Sequence, residues 1–328
     1  MKKITAFFLT VLFASSLITA AFAQSSYTDN CTMGELQTQF LEYLELNGSD
    51  LEIGTAEYLG FITNQLIYGV DAHLKSQPNY SLLHAYMAQY KVMCEEIGYQ
   101  YYLRTEGLLP KDDRSTLFYE EDYFLNMTVG QVKQDVQRRE NKGKSVQLIA
   151  NLLSDTDRTT NDNYDATAAV AYARQHGTSY NPAYPNLTLM GGDCTNFVSQ
   201  CLCAGGLSMN GAPTIDGRVS STTKWFCSWA IDYWGYTTSW VSSPDFFEYW
   251  LPRSHFWSVF TISSLISHAE AGSVVQLRSA ETGQPYHAIF ITSVNGDTAT
   301  YAGHTRNTSN SSVNEIDDSA NEFFLYLF

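Results

Sequence analysis

Gly191-Gly192-Asp193-Cys194-Thr195-Asn196-Phe197-Val198-Ser199-Gln200-Cys201 is the stretch on which the reading of this chain turns. Phe197, Val198, Cys201 and Leu202 form an apolar stripe at helical spacing, and Gly205-Gly206 ends it. The pattern predicts a helix that starts at Cys194 and packs one face down. Asp193 fits as its N-cap, the carboxylate accepting from the amide of Asn196. Cys194 then occupies the first helical position. There the positive end of the macrodipole and unpaired backbone amides favour a thiolate, and the cysteine's own amide can serve an oxyanion. The two glycines leave room for a substrate backbone. An isolated cysteine at a helix start is more often buried and structural; the residues around this one and a histidine downstream point to a reactive thiol.

That histidine comes from a second stretch. Tyr286 to Val294 reads as a strand, Asn295-Gly296 as a type I′ turn, and Asp297 to Thr305 as the return strand. This register sets Val294 opposite Asp297 and His287 opposite His304, with their Cα atoms about 4.5 Å apart on one face. One histidine would take the thiol proton and the other would orient its ring. Should the register differ, Asn307 or Thr305 becomes the orienting candidate.

Outward from these two stretches the chain divides in texture. Ala166 to Gln175 is an Ala-rich helix. Strand-like runs occur at Ser273–Leu277, His287–Val294 and Thr298–His304, and all six Trp lie between Trp225 and Trp257. Helix first and strands later indicates an α+β domain over 159–328. From Met33 to Leu153 the periodicity is helical, with one helix expected from Glu120 to about Ala150, so 24–158 is read as a separable all-α domain. Asp155 to Asn163 is a polar run that fits a linker. His73 and His84, about three turns apart, share a face but not a metal.

The N-terminus reads as an export signal: Lys2-Lys3, an apolar run from Ile4, then Ala21-Phe22-Ala23, which places cleavage after Ala23 and makes 1–23 a signal peptide. The expected product is secreted, with no membrane insertion. The chain of 328 residues is long enough for two domains, and its 44% hydrophobic content supplies a core. Net charge is −15, from 19 Lys+Arg against 34 Asp+Glu, which argues against nucleic acid as a partner. Six cysteines without a C-x-x-C pair exclude the usual zinc frameworks. Cys31 with Cys94 is the one bridge considered. No metal or organic cofactor is called for, and oligomeric state is left open.

From about Tyr164 onward the sequence resembles the putative amidase domain family of secreted Firmicutes proteins, grouped with the NlpC/P60-like, papain-fold cysteine peptidases. The resemblance rests on Ala169-Val170-Ala171-Tyr172-Ala173, Asn181-Pro182, Gly192 through Cys201, Ala204-Gly205-Gly206, His287 opening a strand, and Gly303-His304-Thr305. It covers about half the chain. It implies a papain-like domain whose cysteine-bearing helix packs on an antiparallel sheet, with Cys194 as nucleophile, His287 as base and His304 as the orienting residue. The implied chemistry is acyl transfer through a thioester, hydrolysing an amide bond in peptide or cell-wall peptide. The competing expectation is a secreted binding or adhesion protein that keeps the domain as a scaffold.

Overall fold

The structure, a computed structural model, describes residues 28–105, 122–153, 163–188, 192–212, 217–230 and 234–328. The expected export signal and the 158/159 boundary lie outside the described residues.

The first half is helical because its capping signals and apolar periods agree. Helix α1 (Met33–Leu46) begins at a capping box: Thr32 Oγ1 accepts from the Glu35 amide at 3.1 Å, and Glu35 accepts from the Thr32 amide at 2.8 Å. Helix α2 (Ala56–Tyr68) is capped by Thr55 and stopped by Gly69, whose φ of +57° suits glycine. Helix α3 runs Tyr80–Thr105 and helix α4 Val129–Leu153. The single helix expected from Glu120 is interrupted at Met127–Thr128. Thr128 acts as a cap, accepting from the Gln131 amide at 3.1 Å while Gln131 accepts from the Thr128 amide at 2.8 Å.

The second half is mixed helix and sheet, compatible with the α+β expectation. Helices α5 (Ala166–His176), α6 (Cys194–Ala204), α7 (Ser243–Trp250) and α8 (Ile262–His268) accompany nine strands. Strands β1 (Arg218–Val219), β2 (Cys227–Trp229) and β3 (Trp234–Thr237) form a small sheet in the order β1-β3-β2. The main sheet holds β4 (His255–Val259), β5 (Val274–Ser279), β6 (Pro285–Asn295), β7 (Thr298–Gly303), β8 (Thr308–Ser312) and β9 (Asn321–Leu327). Its order is β4-β9-β5-β6-β7-β8, antiparallel at every pairing.

Alternation along these strands sorts the sheet into two cores. Val274 and its partner Phe290 face α5, α6 and α7, in a cluster with Phe197, Val198, Cys201, Leu202, Trp225 and Trp240. Val275 and its partner Ile289 face the other way, in a cluster with Phe40, Tyr58, Leu66 and Tyr86 of α1–α3. The helical half therefore shares a core with the sheet. Ion pairs add to the contact: Arg139 of α4 reaches Asp245 at 2.7 Å and Glu248 at 3.1 Å on α7. Packing is close there too, since a Cβ at Gly143 would meet Leu251 Cδ2 at 2.4 Å.

Cys31 and Cys94 are free thiols, so the bridge considered from sequence is not formed. Cys31 lies on the bridge between the α1 and α4 entries, its carbonyl accepting from Val129, while Cys94 is embedded in α3 beside Tyr90. His73 and His84 do not share a helix, because the turn at 76–79 separates a short helical segment (Ala72–Lys75) from α3. Among the described residues no helix is long and apolar enough to cross a membrane, and no His/Cys/Asp/Glu cluster could hold a metal ion.

Candidate active site

Cys194 is the first residue of α6, as its sequence context predicts, and is 2% exposed. Asp193 precedes it at the N-cap position but does not cap with its side chain. Its backbone (φ −117°, ψ 5°) turns the carboxylate aside. Oδ1 accepts from the Leu187 amide at 2.9 Å and from Asn196 Nδ2 at 2.8 Å, and Oδ2 lies 2.5 Å from His304 Nδ1. The expected bond to the Asn196 amide is replaced by these three. The first turn of α6 thus takes no cap from the Asp193 side chain.

His304 sits inside this network. Its Nε2 lies 2.8 Å from the His176 carbonyl oxygen, so both ring nitrogens face acceptors. Both ring nitrogens are thus committed to partners within the fold. Phe197 and Tyr180 pack against the ring in tilted contacts at centroid distances of 4.2 and 4.4 Å.

The register that set His304 opposite His287 is corrected by the structure. Asn295 pairs with Thr298 and Val294 with Ala299, so the loop residues are Gly296 and Asp297. Gly296 takes φ +59°, but Asp297 keeps a negative φ, which excludes type I′. A bulge at Thr292 then shifts the pairing to Phe290 with Ala302. Continued to the strand end, this places Thr305 opposite His287. Thr305 Oγ1 is indeed 3.3 Å from Nδ1 and 3.2 Å from Nε2 of that ring. A one-residue offset moves a side chain to the other face, and His304 has moved accordingly onto Asp193. Asn307 lies away from His287, with its Oδ1 accepting from Tyr180 at 3.3 Å.

His287 is 1% exposed on β6, the strand against which α6 packs. Burial, and then the charge of Lys91, pushes its pKa well below the ordinary histidine value, so the ring is a neutral acceptor. Lys91 belongs to α3 and was not foreseen as part of this site. Its ammonium pairs with Glu95 at 3.1 Å, both side chains buried. Burial pulls the Lys91 pKa down, but the charges of Cys194 and Glu95 outweigh it and leave the ammonium raised. Gly192 has φ +145°, and a Cβ there would lie 3.2 Å from Lys91 Nζ. A small pocket next to Gly192 is lined by Glu95, Leu187, Arg218, Tyr236, Val241 and Ser242. The sequence signal for Lys91 was available: an i,i+4 Lys/Glu pair in the run from Leu82 to Glu95, whose other polar residues are only His84 and Gln89.

The remaining candidates are structural. Trp225, Trp240 and Trp250 are core residues, and Trp240 Nε1 donates to Asn196 Oδ1 at 2.8 Å, tying the tryptophan cluster to the Asp193 network. Burial raises the pKa of Cys94 to about 12 and those of Cys201 and Cys203 above the ordinary thiol value.

A stretch of 69 residues is 42% identical to the uncharacterized protein YhbB of Bacillus subtilis (strain 168), covering 21% of each chain. No solved structure matches. Residues 163–327, just over half of the chain and the part that carries Cys194, His287, His304 and Thr305, match the family described as putative amidase domain, and the chain belongs to that family.

Proposed function

We propose that the protein is a cysteine-nucleophile hydrolase of amide bonds, with a papain-like arrangement of helix and sheet. Family membership supports a hydrolase acting on amides. The observation that carries the finer reading is Cys194 at the uncapped start of α6, whose cap residue has given its carboxylate to His304. In this mechanism His287 takes the thiol proton as Cys194 Sγ bonds to the amide carbonyl carbon. First-turn amides of α6 receive the oxyanion. The imidazolium of His287 gives its proton to the leaving amine as the C–N bond breaks, and a thioester remains. Water, deprotonated by His287, attacks that thioester and releases the acid and the free thiol. Thr305 is the orienting neighbour of His287. His304, held on both nitrogens, fixes Asp193 and the start of α6. Positioning by His304 is thus indirect, in place of the direct role expected from sequence.

The substrate proposed is peptide or cell-wall peptide, met after export. Purified wall peptides incubated with the protein and read by mass spectrometry should show a cleaved amide, and thiol-directed probes should mark Cys194. Intact peptides together with an unmarked Cys194 in a protein opened at this site would favour the binding or adhesion reading instead.

A further inference from the structure

One residue of the helical half, Lys91 of α3, stands close enough to both reactive groups of this site to act on them electrostatically. Cys194 and His287 are 2% and 1% exposed, and Lys91 and Glu95 of α3 are buried with them. Gly192 leaves space where a substrate backbone would approach, and the Lys91 ammonium stands against that space. The pocket next to Gly192 has Glu95 in its wall, and neither Cys194 nor His287 lines it. A peptide cannot reach the thiol over Gly192 while these two side chains remain in place.

We propose that α3 is a built-in plug: the Lys91–Glu95 pair occupies the approach to Cys194, and substrate gains access when this helix withdraws. The proposal rests on Cys194 being the nucleophile. Charge points the same way as volume. A cation beside His287 disfavours the imidazolium that must form when the thiol proton arrives and that must later protonate the leaving amine. Glu95 completes the plug by neutralising Lys91, so no unpaired charge is buried in the closed form. Withdrawal removes the steric block and, with it, the cation that weakens His287 as a base.

The test uses the full chain. Cys194 alkylation by iodoacetamide, assigned by peptide mapping, is followed against reagent concentration in the wild type and in Lys91→Ala/Glu95→Ala. In the wild type the rate should level off with reagent, because opening limits it. In the double variant it should stay linear and be about tenfold faster or more. A wild-type rate that is linear and equal to the variant's overturns the plug. If the variant does not fold, wild type carrying a bulky maleimide on Cys194 is compared with unmodified protein by amide hydrogen exchange. Exchange should rise in residues 80–95 and stay unchanged in α1; unchanged exchange in both overturns the plug. Amide hydrolysis separates this proposal from the one beneath it. Hydrolysis that survives in Cys194→Ala removes Cys194 as nucleophile, whatever the alkylation rates. Hydrolysis that needs Cys194, with wild-type alkylation linear and as fast as the variant's, removes the plug and keeps the nucleophile.

Discussion

His287 and His304 stand at the same end of the β6–β7 hairpin and are buried almost equally, at 1% and 6% exposure. Their surroundings set them apart. His304 has an acceptor on each nitrogen and two aromatic rings packed against it. His287 has a threonine hydroxyl within reach and the Lys91 cation close enough to lower its pKa. A histidine whose nitrogens are both committed cannot carry a proton between reactants. A neutral one with only a hydroxyl beside it can. Sharing a hairpin end therefore does not assign a catalytic role; the partners of the two ring nitrogens do.

The harshest test of this contrast removes the group both histidines are said to serve. Cys194→Ala should abolish hydrolysis, a loss of roughly 10³-fold or more, while the fold persists. Activity within tenfold of wild type, measured on any substrate found by the wall-peptide assay, would falsify the mechanism. Next comes the base itself. His287→Ala should lower kcat/KM by about 10²–10⁴-fold, far more than the cavity it leaves lowers the fraction folded in the absence of urea.

His304 should behave in the opposite manner. His304→Ala or Asp193→Ala leaves the other buried side chain without its hydrogen-bond partner, which costs about 1–3 kcal/mol. Stability should suffer first, and activity only as α6 loosens. The double variant Asp193→Asn/His304→Gln should recover much of that loss in a double-mutant cycle. Were the single variants as stable as wild type but slow, His304 would belong with the chemistry and the contrast would collapse.

How far the sequence carried this picture follows from what each feature depends on. The start of α6 at Cys194 was legible, since the apolar stripe and the flanking glycines are local signals. So were β5, β6 and β7, to within a few residues, whereas β4, β8 and β9 were not. The hairpin register was not, because it depends on which two residues occupy the loop and on a bulge at Thr292; Asn295-Gly296 carries the right turn residues but sits one position off the loop. The use of Asp193 was missed for a related reason. A carboxylate at an N-cap is ordinarily drawn to the helix amides, and here a histidine 111 positions away in sequence takes it instead. Lys91 was missed because α3 is enclosed by α1, α2 and the sheet, so its buried positions run all round and its charged pair is not on a solvent face.

A third buried histidine extends the contrast to acid. His84, between the rings of Tyr80 and Tyr286, is lowered to about 4 by burial. The folded chain refuses a proton that the unfolded chain binds, so the stabilisation is complete above about pH 6.5 and falls as pH drops toward 4. The shift corresponds to about 3 kcal/mol at the acid end, and His287, depressed in the same direction, adds to it. Urea unfolding of His84→Gln should show a flatter decline between pH 6.5 and 4 than the wild type. An unchanged slope would mean that His84 does not stay neutral in the fold.

The smallest effect sharpens the contrast most. Thr305→Val keeps the volume and shape of the side chain and removes only the hydroxyl near His287. One neutral hydrogen bond contributes about 1 kcal/mol, so kcat should drop by roughly 3–10-fold. KM and the urea midpoint should hold, since Thr305 contacts the ring and not the substrate in this mechanism. Thr305→Ser retains the hydroxyl and should restore the rate. A structural role for Thr305 predicts another pattern, with valine and serine both lowering stability and neither selectively lowering kcat. If Thr305→Val is as fast as wild type, the hydroxyl does not orient His287. The base would then be held by strand β6 and its packing alone, and the two histidines would differ only in how tightly their neighbours bind them.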